Sequence, residues 1–150
     1  MKGNSTHMPL SPDILKDWTV LVVDDEPDSA EIVQALLEVY GAHVLTAANG
    51  RDGLEMIRRH RPRFVITDLT MPEMSGWELR RALEKDDRAL AEIPVVALTA
   101  HAMEGDRDKA ISMGFRNYLT KPLHPETFVN RLLRLLADDM PELAELLDAS

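Results

Sequence analysis

Five short apolar runs recur along the chain, and each is bounded by charged or turn-forming residues. Runs of this length that are rich in valine, leucine and isoleucine are typical of strands buried inside a sheet. The predicted strands cover residues 18–23, 42–47, 64–67, 93–98 and 117–120. Their continuous apolar character indicates a sheet that is covered on both faces.

A helical pattern follows each predicted strand. Pro27 favours a helix start after the first strand, because proline lacks the N–H that the first turn leaves unpaired. Apolar residues at 32, 33, 36, 37 and 40 then define one helical face, and Gly41 supplies the stop. The predicted helices cover residues 27–40, 51–60, 76–85 and 104–113 and the segment from 125 onward. This strand–helix alternation predicts an α/β domain with a parallel sheet between two layers of helices.

The remaining segments are predicted as connections or chain ends. A charged loop is expected between the third helix and the fourth strand, and a further short helix near residues 143–147. Residues 1–8 lack the apolar stretch of a signal peptide and are interpreted as vector-derived. We predict a leader over residues 1–13, one folded domain over 14–137 and an acidic tail over 138–150.

Composition narrows the classes of function. The formal net charge of −9 argues against nucleic-acid binding, which needs basic residues to displace counterions. The absence of cysteine excludes disulfides, thiolate nucleophiles and Cys-ligated zinc, and it fits a reducing, cytoplasmic compartment. No apolar run approaches the roughly 20 residues of a membrane span, so no membrane association is expected.

Polar side chains follow four of the five predicted strands at the point where each strand ends. Asp24 and Asp25 follow the first strand, Asp68 the third, Thr99 the fourth and Lys121 the fifth. Because the carboxyl ends of parallel strands lie at one edge of a sheet, we expect these residues to converge there. Clustered carboxylates repel one another unless a cation joins them, and oxygen ligands of this charge suit Mg²⁺. A neighbouring lysine and hydroxyl suit a phosphoryl group, which a carboxylate can accept as an aspartyl phosphate.

Each of these residues taken singly has an ordinary structural explanation. An aspartate pair before a helix is often an N-cap, a lone aspartate after a strand is often a turn residue, and threonine favours strands. The occurrence of all of them at the ends of four strands favours a phosphoryl-transfer site instead.

The chain resembles the receiver domain of two-component response regulators in four stretches, which are VLVVDDE, VITDLTMPEMSGWEL, IPVVALTA and YLTKP. The resemblance covers about residues 19–137, and the stretch ALTAHAMEGDRDKAISMGFRNYLTKPL is most similar to receivers of hybrid histidine kinases or stand-alone regulators. It implies a flavodoxin-like, doubly wound (βα)5 three-layer sandwich with parallel sheet order 2-1-3-4-5.

The resemblance also implies how the acidic residues act. Asp68 is the expected phosphoacceptor, which receives its phosphoryl group from a phosphohistidine. Asp25, Asp68 and the backbone carbonyl of Thr70 are expected to hold Mg²⁺, and Asp24 to act through a bound water. The implied protein is a phosphoacceptor switch that catalyses only its own phosphorylation and dephosphorylation, rather than an enzyme.

Further roles follow from the same resemblance. Lys121 is expected to pair with the phosphoryl oxygens, and Thr99 to move and bond to them beside the small residue Ala100. Tyr118 is expected to rotate inward behind Thr99, and Pro122 to follow a cis peptide bond. The two moving side chains would carry the signal to the face formed by the fourth predicted helix, the fifth strand and the fifth helix.

The implied partners are a sensor histidine kinase or a histidine phosphotransfer protein, and an effector that the sequence does not identify. The chain is expected to be a monomer or a phosphorylation-dependent dimer. Thr70 and His101 stand at positions that tune hydrolysis in this family, so the lifetime of the phosphorylated state is open. Val129 and Leu133 widen the apolar stripe of the last helix, which makes that stripe either core or a partner surface.

Three other functions fit the sequence less well. A phosphatase of the haloacid-dehalogenase type places its nucleophile as Asp-x-Asp after the first strand, whereas this chain has Asp24-Asp25-Glu26 there. A phosphorylation-independent interaction module would not need Thr99 and Lys121 beside the acidic residues. A dinucleotide-binding domain needs a glycine-rich turn after the first strand, and the turn here is DDEPDS.

Overall fold

The fold is built on five strands, which lie within or next to the predicted ranges. They are β1 (Thr19–Val23), β2 (His43–Ala47), β3 (Phe64–Thr67), β4 (Val95–Thr99) and β5 (Asn117–Thr120). All neighbouring strands pair in parallel, and their order in the sheet is β2-β1-β3-β4-β5. This order confirms the predicted flavodoxin-like fold. The structure is a computed structural model that describes residues 9–149, so residues 1–8 of the predicted leader lie outside it.

Seven helices occur among the described residues. They are α1 (Pro27–Glu38), α2 (Gly50–His60), α3 (Gly76–Asp86), α4 (Arg88–Ala91), α5 (Asp106–Ser112), α6 (Pro125–Leu136) and α7 (Pro141–Ala149). The prediction of a charged loop after α3 was wrong, because α4 lies there. The helix is a single turn, which is too short to show a helical period in the sequence. It is fixed by the Asp87 side chain, which accepts a hydrogen bond from the Leu90 N–H at 2.9 Å.

Helices cover both faces of the sheet because alternate residues of each strand point to opposite sides. Val20 and Val22 of β1 pack with α1, α6 and α7 on one face. Leu21 and Val23 pack with α2, α3 and α5 on the other. On α6, Val129 and Leu133 are buried, so the wide apolar stripe of this helix belongs to the core.

The strand register brings the carboxyl ends of the strands to one edge of the sheet. Val23 of β1 pairs with Ala47 of β2 on one side and with Thr67 of β3 on the other. Thr67 in turn pairs with Ala97 of β4. The polar residues that follow these positions therefore leave the sheet side by side.

The loop that follows β3 is closed by a capping box at the start of α3. The Ser75 hydroxyl accepts a hydrogen bond from the Glu78 N–H at 3.1 Å, and the Glu78 carboxylate accepts one from the Ser75 N–H at 2.9 Å. These bonds satisfy two backbone donors that a helix start would otherwise leave free. They fix the position at which the loop after β3 ends and α3 begins.

We expect Ser75→Ala to lower the free energy of unfolding by about 1 kcal/mol, because the variant loses the capping hydroxyl. Urea denaturation should show a lower midpoint with an unchanged m-value. Ser29→Ala is the matched control, because Ser29 lies within α1. Equal destabilisation of the two variants would show that the capping box contributes nothing.

The packed core continues past both predicted domain boundaries, residues 14 and 137. Leu10 packs against the core at one end, and Leu143 and Leu147 of α7 are buried in it at the other. Ion pairs attach the carboxyl-terminal segment that contains α7 to the edge of the sheet at which the strands begin. They join Arg63 to Glu142, and Arg116 to Asp139 at 3.3 Å.

The short helix expected near residues 143–147 is α7, which is longer than predicted. None of the helices in residues 9–149 has the length and apolar character needed to cross a membrane.

Candidate functional site

Three carboxylates meet at the carboxyl edge of the sheet. Asp24 and Asp25 follow β1, Asp68 follows β3, and each offers an oxygen within 4.8 Å of those of the other two. Asp24 and Asp68 are only 6% and 5% exposed, whereas Asp25 is exposed to solvent. The cluster is therefore a negatively charged pocket that is open on the side of Asp25.

Lys121 joins the buried carboxylates. Its Nζ lies 2.9 Å from Asp24 Oδ2 and 3.2 Å from Asp68 Oδ2, and the lysine side chain is only 11% exposed. Burial lowers the pKa of Lys121, but its hydrogen bonds to Asp24 and Asp68 outweigh burial and raise this pKa above its usual range. The ammonium group therefore stays charged and offsets part of the repulsion within the cluster.

Asp24 is held by two hydrogen bonds. Its Oδ1 accepts from the Glu26 N–H at 3.0 Å, and its Oδ2 accepts from Lys121. Burial raises the pKa of the Asp24 carboxyl, and these two bonds offset only part of that effect. A positive charge in the pocket would thus favour the ionised form of Asp24.

The Asp68 side chain has a fixed orientation. Its Oδ1 accepts hydrogen bonds from the backbone N–H groups of Leu69 at 2.6 Å and Thr70 at 3.2 Å. Its Oδ2 faces Lys121. The loop also passes close to α3: a Cβ at Gly76 would lie 2.2 Å from the Asp68 carbonyl oxygen, which only glycine avoids.

Of the other predicted site residues, Thr70 bonds to Asp68, and Thr99 bonds within the loop that follows β4. Thr99 is buried, and its Oγ1 accepts a hydrogen bond from the His101 N–H at 3.2 Å. Ala100 and His101 are exposed. Thr70 is also exposed and reaches Asp68 through its backbone N–H.

Tyr118 and Pro122 complete the predicted set. The Tyr118 ring is buried, and its hydroxyl has no hydrogen-bond partner within the described part of the chain. Burial raises the pKa of this phenol. The peptide bond between Lys121 and Pro122 is cis.

Sequence reasoning assigned no role to Glu26, which the structure places in the site. Its Oε1 lies 3.3 Å from Lys121 Nζ, although the Glu26 side chain is largely exposed. The run of three acids after β1 was the available signal. That signal is weak, because a third acid beside a helix start is common on protein surfaces.

Comparisons with known proteins agree with this geometry. Residues 20–133 match the family model of the response regulator receiver domain. PilH of Pseudomonas aeruginosa is 38% identical over 118 residues, which cover 79% of this chain and 97% of that protein. The polar-differentiation response regulator DivK of Brucella anthropi is 34% identical over 120 residues, covering 80% of this chain and 97% of DivK.

A solved structure gives the same result. The chemotaxis response regulator CheY4 of Vibrio cholerae superposes with a TM-score of 0.72 at 31% identity, covering 79% of this chain and 98% of CheY4. The fold of the present chain and the acidic pocket at the carboxyl edge of its sheet agree with the family match. The chain therefore belongs to the response regulator receiver domains of two-component signal transduction.

Proposed function

We propose that this receiver is a phosphoacceptor switch in a phosphorelay, with Asp68 as the acceptor. The observation that carries the proposal is the buried Lys121, whose ammonium group contacts both Asp24 and Asp68 inside the acidic pocket. A lysine held at the acceptor carboxylate can neutralise an incoming phosphoryl group. The donor is a phosphohistidine of a sensor histidine kinase or of a histidine phosphotransfer protein.

The transfer exchanges one bond to phosphorus for another. A carboxylate oxygen of Asp68 forms the new P–O bond, while the P–N bond to the donor histidine breaks and its electron pair stays on the imidazole. The N–H groups of Leu69 and Thr70 orient the carboxylate, and Lys121 turns from carboxylate oxygens towards phosphoryl oxygens. The product is an acyl phosphate that water can hydrolyse, so the chain turns over no diffusible substrate.

The pocket also suits Mg²⁺. Three oxygen donors lie within 4.8 Å of one another, and the exposed Asp25 leaves room for water ligands, which Mg²⁺ retains. Asp25, Asp68 and the Thr70 carbonyl would hold the ion, with Asp24 acting through water. When bound, Mg²⁺ supplies positive charge that offsets the carboxylates and the phosphoryl oxygens.

Phosphorylation is proposed to act on the face formed by α5, β5 and α6, where α5 and α6 are the predicted fourth and fifth helices. Thr99 is the last residue of β4, which ends at the pocket edge of the sheet, and Tyr118 lies in the neighbouring strand β5, which forms part of this face. The phosphoryl group shifts the population of conformers by bonding to Thr99 in only one of them. The expected setting is the cytoplasm, and the chain acts as a monomer or as a phosphorylation-dependent dimer.

We expect Mg²⁺ to raise the melting temperature, because the ion binds the native pocket and relieves repulsion among its carboxylates. At ten times the dissociation constant the gain is about 1.4 kcal/mol, or roughly 3–6 °C for a chain of this size. Differential scanning calorimetry with and without Mg²⁺ measures it. In Asp25→Asn, Mg²⁺ should raise the melting temperature much less, since the variant lacks one of the proposed carboxylate ligands. An undiminished rise in the melting temperature of that variant would place the ion elsewhere.

The decisive experiment is intact mass spectrometry after incubation with acetyl phosphate, with and without Mg²⁺. We expect a gain of one phosphoryl group that requires Mg²⁺ and disappears after mild alkaline treatment, which cleaves acyl phosphates. Incubation with a phosphorylated histidine phosphotransfer protein is the second arm, for a receiver that refuses small donors. No gain from either donor, with Mg²⁺ bound and the fold intact, would sink the proposal.

A further inference from the structure

Helix α3 begins in contact with the backbone of the proposed phosphoacceptor. The Gly76 N–H donates a hydrogen bond to the Leu69 carbonyl at 3.0 Å. A Cβ at Gly76 would lie 2.2 Å from the Asp68 carbonyl oxygen, so the first turn of α3 and Asp68 touch with no space between them. Because closely packed segments do not deform independently, a displacement of the loop after β3 has to move the first turn of α3.

Trp77, the next residue, connects this first turn to α5 and to the segment that follows α5. Its ring meets Phe115 edge to face, with centroids 5.7 Å apart and an interplanar angle of 83°. The Nζ atom of Lys109, on α5, lies 4.4 Å from the centroid of the Trp77 ring. Both contacts are directional, so they change when the ring moves relative to α5.

A second side chain of α3, Arg80, reaches the turn between α5 and β5. The residue is buried, and a Cβ at Gly114 in this turn would lie 2.4 Å from Arg80 Nη2. Nη2 also donates hydrogen bonds to the Glu84 carboxylate at 3.0 Å and to the Ala91 carbonyl at 3.4 Å. Nε and Nη1 are buried and have no hydrogen-bond partner within residues 9–149, so packing holds this side of the guanidinium group. Arg80 therefore keeps α3 and the turn before β5 at a fixed separation.

We propose that Trp77 is a positioning residue that couples the phosphorylation state of Asp68 to the position of α5. This route runs through α3 and uses neither Thr99 nor Tyr118. The inference rests on the proposed function, because phosphorylation of Asp68 is its input.

The input acts through the hydrogen bonds at the acceptor. Asp68 Oδ1 accepts hydrogen bonds from the N–H groups of Leu69 and Thr70, and the Leu69 carbonyl accepts one from Gly76. Formation of the acyl phosphate changes the charge and the geometry of this carboxylate, so the residues bonded to it adjust. The adjustment reaches Trp77 through Gly76, and the indole ring passes it to α5.

The test measures hydrogen exchange of the α5 amides before and after treatment with acetyl phosphate and Mg²⁺. Intact mass gives the phosphorylated fraction of each sample. The starting chain is Thr99→Ala, which has no hydroxyl to bond to the phosphoryl group. We expect phosphorylation to change the exchange rates of α5 by about fivefold in this variant, since coupling between sites is usually of this size or larger.

Substitutions at the contact identify the coupling residue in the Thr99→Ala chain. Trp77→Leu should abolish the response of α5, because leucine offers no ring to Phe115 and Lys109. Trp77→Phe should restore most of it, because phenylalanine keeps the edge-to-face contact. Lys109→Met should weaken the response. Lys85→Met, on the exposed side of α3, is the matched control and should leave it unchanged.

Indole fluorescence reports on the contact directly. The chain has two tryptophans, so Trp18→Phe leaves Trp77 as the only indole. We expect the emission of Trp77 to change in proportion to the phosphorylated fraction, because the ammonium group of Lys109 over the ring perturbs the excited indole. The change should be smaller in a chain that also carries Lys109→Met.

Three results would overturn the inference. These are an α5 that does not respond to phosphorylation of Thr99→Ala, a response that survives Trp77→Leu, or a response that Trp77→Phe does not restore. Where Thr99→Ala accepts too little phosphoryl, Trp77→Leu and Trp77→Phe are compared in the chain that keeps Thr99. An equal response of α5 in those two variants would also contradict the route.

Intact mass separates this failure from failure of the proposed function. A phosphoryl gain without a change in α5 that depends on Trp77 refutes the route alone and leaves Asp68 as the acceptor. The absence of any phosphoryl gain refutes the switch, and the route through α3 loses its input with it.

Discussion

Replacing Asp68 by asparagine is expected to abolish phosphoryl incorporation. The amide has almost the volume of the carboxylate, and its oxygen can still accept the hydrogen bonds that Leu69 and Thr70 donate to Oδ1. It carries no negative charge, however, and its nitrogen is a poor nucleophile, so the acyl phosphate cannot form. Intact mass after incubation with acetyl phosphate and Mg²⁺ should equal that of the untreated variant.

The fold of the Asp68→Asn variant should be preserved. The substitution removes one of three clustered negative charges, while Lys121 keeps its contact with Asp24. The melting temperature without Mg²⁺ should therefore not fall below that of the wild type by more than about 1 °C. Asp108→Asn, on the exposed surface of α5, is the matched control and should be labelled like the wild type. Persistent Mg²⁺-dependent labelling of Asp68→Asn would place the acceptor at another residue.

Replacing Lys121 by methionine has the second large expected effect, and it acts on stability. The variant keeps the length of the side chain but leaves the buried carboxylates of Asp24 and Asp68 without their cation. Removing one partner of a buried ion pair costs about 3 kcal/mol, because the remaining charge has lost its compensation. Urea denaturation without Mg²⁺ should show this loss.

Mg²⁺ should restore much of the stability that Lys121→Met loses. The wild-type pocket already contains one positive charge, so the ion should stabilise the variant more than it stabilises the wild type. The phosphorylated variant should nevertheless signal poorly, because no ammonium group remains to hold the phosphoryl oxygens. Lys85→Met, on the exposed side of α3, should change neither stability nor its response to Mg²⁺. An Mg²⁺ effect no larger in Lys121→Met than in the wild type would contradict the compensating role of the lysine.

The strands and their polar ends could be predicted because they depend on local pattern. The ranges predicted for β3 and β5 match the structure residue for residue, since both runs end at clear polar boundaries. The convergence of Asp24, Asp25 and Asp68 followed from one rule about parallel sheets. The family resemblance supplied the sheet order, which short strands and crossovers alone leave open.

Other features could not be predicted because they depend on packing between distant segments. The contact between Glu26 and Lys121 joins residues 95 positions apart, and nothing in the sequence shows which of three neighbouring acids reaches the lysine. The buried Leu143 and Leu147 are also part of a segment that reads as an acidic tail. They share one core cluster with α6 and with Ile14 and Leu15 near the other end of the chain, and no local pattern reveals that burial.

The position of α7 determines where this receiver could be joined to a foreign output module. A junction at residue 133, where the family match ends, would cut α6 before its last turn. It would also discard Leu143 and Leu147, which are buried in the same core as Ile14 and Leu15. A chimera should therefore keep the chain through residue 149, because a graft taken at the family boundary would expose apolar surface and favour aggregation.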